Sequence, residues 1–139
     1  MRFVDSSVFL HAYLRPVKKI PHDIETLKSN ARNIVRRVSG GEAVVTSLIH
    51  ISEISNILGG RMTLDQSLDI LSGILGLPNL RVLEPSKTKY EVCIEESRTY
   101  AIGVNDALAS ILMREEGIDE IYSFDSDFDK VEWIKRVIE

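Results

Sequence analysis

Four acidic side chains of this 139-residue sequence fall where solubility alone does not require them. Asp5 follows Phe3-Val4, Asp125 follows the run Ile121 to Phe124, and Asp106 opens a helical pattern after Ala101 to Val104. Glu53 interrupts an apolar helical row, since steps of four give Ile49, Glu53, Ile57. An unpaired buried carboxylate must be neutralised, paired or bound to a cation. No Lys or Arg occurs between Gly40 and Gly60, so a metal ion is a reasonable counter-charge. Each acid alone also fits an ordinary role. Asp5 and Asp106 suit helix caps, Asp125 suits a turn, and Glu53 suits a surface position. Their conjunction is what points to chemistry.

Other chemistries fail on spacing. A calcium loop starting at Asp125 needs Gly at its sixth position and Glu at its twelfth, where Lys130 and Arg136 stand. Neither Asp5 nor Asp125 begins the Asp-x-Asp-x-Thr/Val arrangement of aspartate phosphotransferases. A Walker loop, a glycine-rich dinucleotide loop, a Gly-x-Ser-x-Gly elbow and a His-Glu-x-x-His pair are all missing. His50 stands three residues before Glu53 and could reach a shared ion, but hard divalent cations prefer oxygen. His11 and His22 fit helix and loop positions, and Cys93, between Val92 and Ile94, fits the core.

Short strand-like runs alternate with longer helical patterns, the signature of an α/β fold with a mainly parallel sheet. Strands are expected at Arg2 to Asp5, Ala43 to Thr46, Leu80 to Leu83, Glu120 to Phe124 and Trp133 to Ile138. Helices are expected after a Ser6-Ser7 cap through Leu14, from Asp23 to Val38, and from Ser47 to Leu58. A Thr63 cap starts another to Leu75, with Leu64, Leu68, Leu71 and Leu75 as its inner row. Pro85 opens one to Tyr100, and Asn105-Asp106 opens the last, through Glu116. In an open parallel sheet the carboxyl ends of the strands share one edge, where ligands bind. Asp5 and Asp125 are expected to meet there, joined by Asp106 if its helix starts at that edge.

The size suits one domain, residues 1–139, that buries roughly 70% of its unfolded surface without staples. One cysteine allows no internal disulfide or zinc pair, which suggests the cytoplasm. No signal-like h-region or membrane-length apolar run is present. The net charge of −4 argues at first against nucleic acid, because phosphate binding is driven by Lys and Arg. Setting aside the four acids above leaves 17 acidic residues against 17 basic ones, so the rest of the chain is formally neutral.

Together these motifs resemble the PIN domain family. Val4-Asp5-Ser6-Ser7-Val8-Phe9-Leu10 resembles its opening, His50-Ile51-Ser52-Glu53-Ile54 its glutamate helix, Asn105-Asp106-Ala107 its third acid, and Ser123-Phe124-Asp125-Ser126-Asp127-Phe128 its closing motif. The likeness is greatest to single-domain VapC-like toxin ribonucleases of toxin–antitoxin pairs. It implies a three-layer α/β sandwich with a small, mainly parallel sheet flanked by helices, and a Mg²⁺- or Mn²⁺-dependent endoribonuclease. By the resemblance Asp5, Glu53 and Asp106 are core metal-binding acids. Asp125 is the fourth, and Asp127 is a second candidate for that place because the Asp-Ser-Asp run leaves the register open. Ser7 and Ser6 match the polar position that holds a water or phosphate oxygen. A homodimer and a small antitoxin partner are implied by the same analogy.

Oxygen ligands suit Mg²⁺ or Mn²⁺, which keep waters and share carboxylates with a substrate phosphate. Such an ion activates water for attack at phosphorus, and no side-chain nucleophile is needed. By the family analogy the products carry a 5′-phosphate and a 3′-hydroxyl. Cations available for an RNA backbone are Arg15, Lys18, Lys19, Arg32, Arg36, Arg37 and Arg61. Surplus apolar residues on the helices either side of Thr63 suit core packing, a dimer contact or a partner peptide. The alternatives are a PIN nuclease of RNA processing or decay without an antitoxin, and an inactive PIN-like module that binds RNA or protein.

Overall fold

The computed structural model describes residues 1–16 and 20–139. Lys18 and Lys19, named above as candidate cations, lie outside the described residues. In chain order the elements are β1 (Arg2–Val4), α1 (Ser6–Tyr13), α2 (His22–Ser39), β2 (Val44–Ser47), α3 (Leu48–Gly59), α4 (Leu64–Leu75) and β3 (Leu80–Leu83). They continue with α5 (Lys87–Tyr100), α6 (Val104–Glu116), β4 (Glu120–Tyr122), a 3₁₀ turn (Ser126–Lys130) and β5 (Lys135–Val137).

The strands form one sheet in the order β3-β2-β1-β4-β5, and every neighbouring pair is parallel. Strand order runs outward from β1 to β3, then returns to the other side of β1. The switch point therefore lies between β1 and β4, where an open α/β sheet leaves a crevice at its carboxyl edge. Alternating side chains divide the core. Phe3, Val45 and Ile121 pack with α5, α6 and the 3₁₀ turn, whereas Val4, Val44 and Tyr122 pack with α1 to α4. Helix α6 is buried continuously from Ala107 to Met113, so its first turn has a fixed place against the sheet.

Local chemistry explains most boundaries. Ser47 caps α3 by accepting from the His50 N–H, and Thr63 and Gln66 make a reciprocal capping box at α4. Ser86 caps α5, which starts at Lys87, two residues later than Pro85 suggests. At α1 the cap position falls to Asp5 rather than to Ser6 or Ser7, and the Asp5 side chain makes no capping bond. Strand β4 stops at Tyr122, short of the expected Phe124, because Asp125 accepts from the Asp127 N–H at 2.9 Å and turns the chain into the 3₁₀ segment.

The inner face of α4 departs from expectation. Leu64, Leu68 and Leu75 are 71%, 49% and 52% exposed, while Ser67 and Ile74 are buried and Ile70 and Leu71 half-buried. Both rows have helical spacing, and one residue of offset turns the helix by about 100°. The buried row is polar in appearance only, because the Ser67 hydroxyl donates to the Leu64 carbonyl at 2.9 Å and satisfies itself. Ile74→Ala is expected to cost about 3 kcal/mol and Leu68→Ala under about 0.5 kcal/mol, measured by urea unfolding. Equal losses at the two positions would return Leu68 to the core.

Candidate metal centre

Five elements at the carboxyl edge contribute polar groups. Asp5 leaves β1, Ser6 and Ser7 open α1, Glu53 sits midway along α3, Asn105 and Asp106 lie in the first turn of α6, and Asp125 follows β4. Asp5, Ser6, Ser7, Glu53, Asn105, Asp106 and Asp125 line a single cavity of about 360 Å³. No Lys or Arg lines it among the described residues.

The acids are held by neutral donors. Asp5 is 3% exposed, and its Oδ2 accepts from the Ser7 hydroxyl at 2.7 Å and the Ser123 hydroxyl at 2.8 Å. The Ser7 oxygen also accepts from the Phe124 N–H, and the Ser123 oxygen from the Asp125 N–H, both at 3.0 Å. These bonds tie the ends of β1 and β4 together and leave Asp5 Oδ1 unengaged by them. Glu53 accepts from the Ser6 hydroxyl on Oε1 and from the Asn105 amide on Oε2, the latter at 3.0 Å. The protons of Ser6 and Ser7 are thus committed to carboxylates. What they can still offer is a lone pair, which suits a water's proton and not a phosphate oxygen.

Glu53 reaches the cavity by a different geometry from the isoleucine row that singled it out. The buried face of α3 is His50, Ile51, Ile54 and Leu58, and Ile57 is 40% exposed. Glu53 stands at the border of that face, half-buried, where the helix meets the crevice.

Like charges crowd Asp106. Burial first, then the negative charges of Asp5 and Asp125, a hydrogen bond with Asp125 and the charge of Glu53 push its carboxyl up to about 8. Without a cation the cleft holds a proton there at neutral pH. A strongly shifted carboxyl among named charge partners in a cleft makes this the candidate functional site. Asp127 does not line the cavity, yet oxygens of Asp106, Asp125 and Asp127 lie within 4.8 Å of one another. Lys130 pairs with Asp127 at 3.1 Å.

The remaining candidates stand elsewhere. His50 is wholly buried, with Nδ1 2.6 Å from the Ser47 hydroxyl, its ring edge-on to Phe3 and Nε2 without a partner among the described residues. Burial lowers its pKa and keeps it neutral. His11 packs edge-on against Phe124, and burial lowers its pKa too. His22 is exposed at the start of α2, and Cys93 is a core residue whose pKa burial raises. Arg36 and Arg37 occupy the last turn of α2. Arg37 lies over the Tyr122 ring, whose hydroxyl meets Arg2 and Glu42 at the amino edge of the sheet, so this end of α2 faces away from the acids. Arg15 and Arg61 line a separate cavity of about 660 Å³ beyond the end of α1.

Ser123 and Asn105 hold two of the acids and were not singled out from sequence, although both stand inside quoted motifs. The available signal was a hydroxyl two residues before Asp125 and an amide directly before Asp106.

The folded-state value of Asp106 lies above its ordinary 3.8, so between there and about 8 the folded chain keeps a proton that the unfolded chain has lost. Its contribution to stability is full below 3.8 and falls away as pH rises through about 8. Metal-stripped protein is expected to melt at lower temperature at pH 8 than at pH 6, and Asp106→Asn to melt higher than wild type at pH 8. A variant with no advantage at pH 8 would show that Asp106 is not charge-strained.

The PIN domain family profile matches residues 2–134. No match was found among curated protein sequences. Among solved structures, the chain is similar to Mycobacterium tuberculosis VapC20, described as a sarcin-ricin loop cleaving toxin. The TM-score is 0.75 at 21% identity, over 96% of this chain and 97% of that one. It is also similar to VapBC2 from Rickettsia felis, described as bound to a fragment of its promoter DNA, with TM-score 0.64 and 15% identity over 98% and 96% of the two chains. A third similar structure is FitAcB from Neisseria gonorrhoeae, with TM-score 0.60 and 13% identity over 98% and 96%. These likenesses establish the fold, and a family profile spanning nearly the whole sequence establishes more: the chain belongs to the PIN domain family.

Proposed function

We propose that this protein is a Mg²⁺- or Mn²⁺-dependent endoribonuclease, the toxin of a VapBC-like pair, acting on RNA in the cytoplasm. The observation that carries this is the set of four carboxylates around one cavity with no basic side chain among the described residues lining it, and Asp106 pushed up to about 8. An all-oxygen donor set suits a hard divalent cation that keeps some of its waters. Asp5, Glu53, Asp106 and Asp125 would hold the ion, with Asp127 the further candidate. When bound, the cation supplies a more acidic water for attack at phosphorus and offsets charge on the leaving oxygen.

The chain's own residues do the positioning. Ser7 and Ser123 fix Asp5 from one side, and Ser6 and Asn105 fix Glu53 from two helices. To hold a cation Asp106 would have to give up its proton, so metal binding is expected to strengthen as pH rises toward 8. Ser6 and Ser7 accept from water at the cavity wall. Arg15 and Arg61, exposed and lining the cavity beyond the end of α1, are available for an RNA backbone.

Similarity to a described toxin and to structures described as VapBC2 and FitAcB supports a toxin with a protein partner. So does the outward row Leu64, Leu68 and Leu75 on α4, apolar surface that suits a small antitoxin or a second copy. No helix among the described residues is long and apolar enough to cross a membrane.

The deciding experiment is cleavage of a labelled RNA by the purified protein with Mn²⁺ or Mg²⁺, against EDTA and an Asp5→Asn variant. Cutting is expected only with the ion and the wild-type acid, and its rate should climb between pH 6 and 8. Equal cutting by Asp5→Asn would identify a contaminant and sink the assignment.

A further inference from the structure

We propose that Asn105 is a positioning residue for Glu53 and that the Tyr90 hydroxyl sets its orientation, so that α5 holds a metal-binding acid it never touches. The inference rests on the metal-binding role of Glu53 proposed above. Tyr90 Oη lies 2.7 Å from Asn105 Oδ1, and Asn105 Nδ2 lies 3.0 Å from Glu53 Oε2. The direction of this chain follows from its last member. An ionised carboxylate only accepts, so the Asn105 –NH₂ must face Glu53 and its carbonyl must face Tyr90, and the phenol must donate.

Glu53 already disfavours a flipped Asn105, which would set two acceptors in contact with no proton between them. The Tyr90 proton adds to that preference from the other side of the amide and fixes its position, because only the carbonyl can accept from the phenol. Without it the amide is held by Glu53 alone. Tyr90 sits half-buried on α5, packed against the core beneath α6, and it does not line the cavity. Glu53 is then gripped by one donor on each oxygen, Ser6 from α1 and Asn105 from α6. Its remaining lone pairs are free for the cavity side. Partners of this kind orient ligands before a metal arrives, and removing one lowers metal affinity without changing the ligand set.

The test is calorimetric titration of Mn²⁺ into the metal-stripped full chain, for wild type, Tyr90→Phe, Asn105→Ala and the double variant, with circular dichroism and melting recorded for each. Asn105→Ala is expected to weaken Mn²⁺ binding roughly tenfold or more. Tyr90→Phe, which loses one hydroxyl outside the site, should weaken it about fivefold. The double variant should bind no worse than Asn105→Ala, because Tyr90 acts only through Asn105. Wild-type affinity in Tyr90→Phe, even with a lowered melting temperature, would mean that the hydroxyl serves packing alone and would overturn the relay. Additive losses in the double variant would overturn it as well. A wild-type chain that takes up no Mn²⁺ at all would instead refute the metal-binding reading, and the relay with it.

Discussion

Mutual repulsion among carboxylates at the carboxyl edge of the sheet is the constraint around which this structure is arranged. Asp5 and its three neighbours are brought together with no basic side chain among the described residues lining their cavity, and the cost shows in Asp106, whose carboxyl is pushed up to about 8. Here the donors are hydroxyls, an amide and backbone N–H groups, which orient the acids while leaving their charge uncompensated. That combination leaves room for a cation from solution.

Topology makes the crowding possible. Strands β1 and β4 are neighbours only because the strand order reverses there, and the paired hydroxyls of Ser7 and Ser123 close on Asp5 across that seam. Helix α6, buried through seven consecutive residues from Ala107 to Met113, delivers Asn105 and Asp106 from the other face of the sheet. The opposite edge is built differently. Arg2 bridges Glu42, Glu120 and the Tyr122 hydroxyl, so ion pairs close the amino end while the carboxyl end stays anionic and open.

Helix faces were the least legible part of the sequence. On α4 two rows of apolar spacing compete, and the one with fewer leucines is inside, where the Ser67 hydroxyl is tolerated because it bonds its own helix. On α3 the row Ile49, Glu53, Ile57 suggested a carboxylate among core isoleucines, yet the core face is one residue over and Glu53 sits at its border. Arg36 and Arg37 looked like cations near early loops, but the eighteen residues of α2 carry them to the far edge of the sheet. In each case the sequence specifies a period and leaves its phase to the packing partner.

Strand and helix order along the chain, the Thr63 cap, and the acids at strand and helix ends were determined by sequence alone, because they depend on short-range periodicity and on groups a few residues apart. The family resemblance was legible for the same reason, since each of its motifs is a short local run. What only the tertiary structure decided is which groups meet across long separations. Ser123 reaches Asp5 over 118 residues and Asn105 reaches Glu53 over 52, and the Tyr90 hydroxyl meets the Asn105 amide on another helix. A hydrogen bond needs both partners placed to within a few tenths of an ångström, and no spacing along a chain carries that information until the core around α6 has fixed where the elements lie.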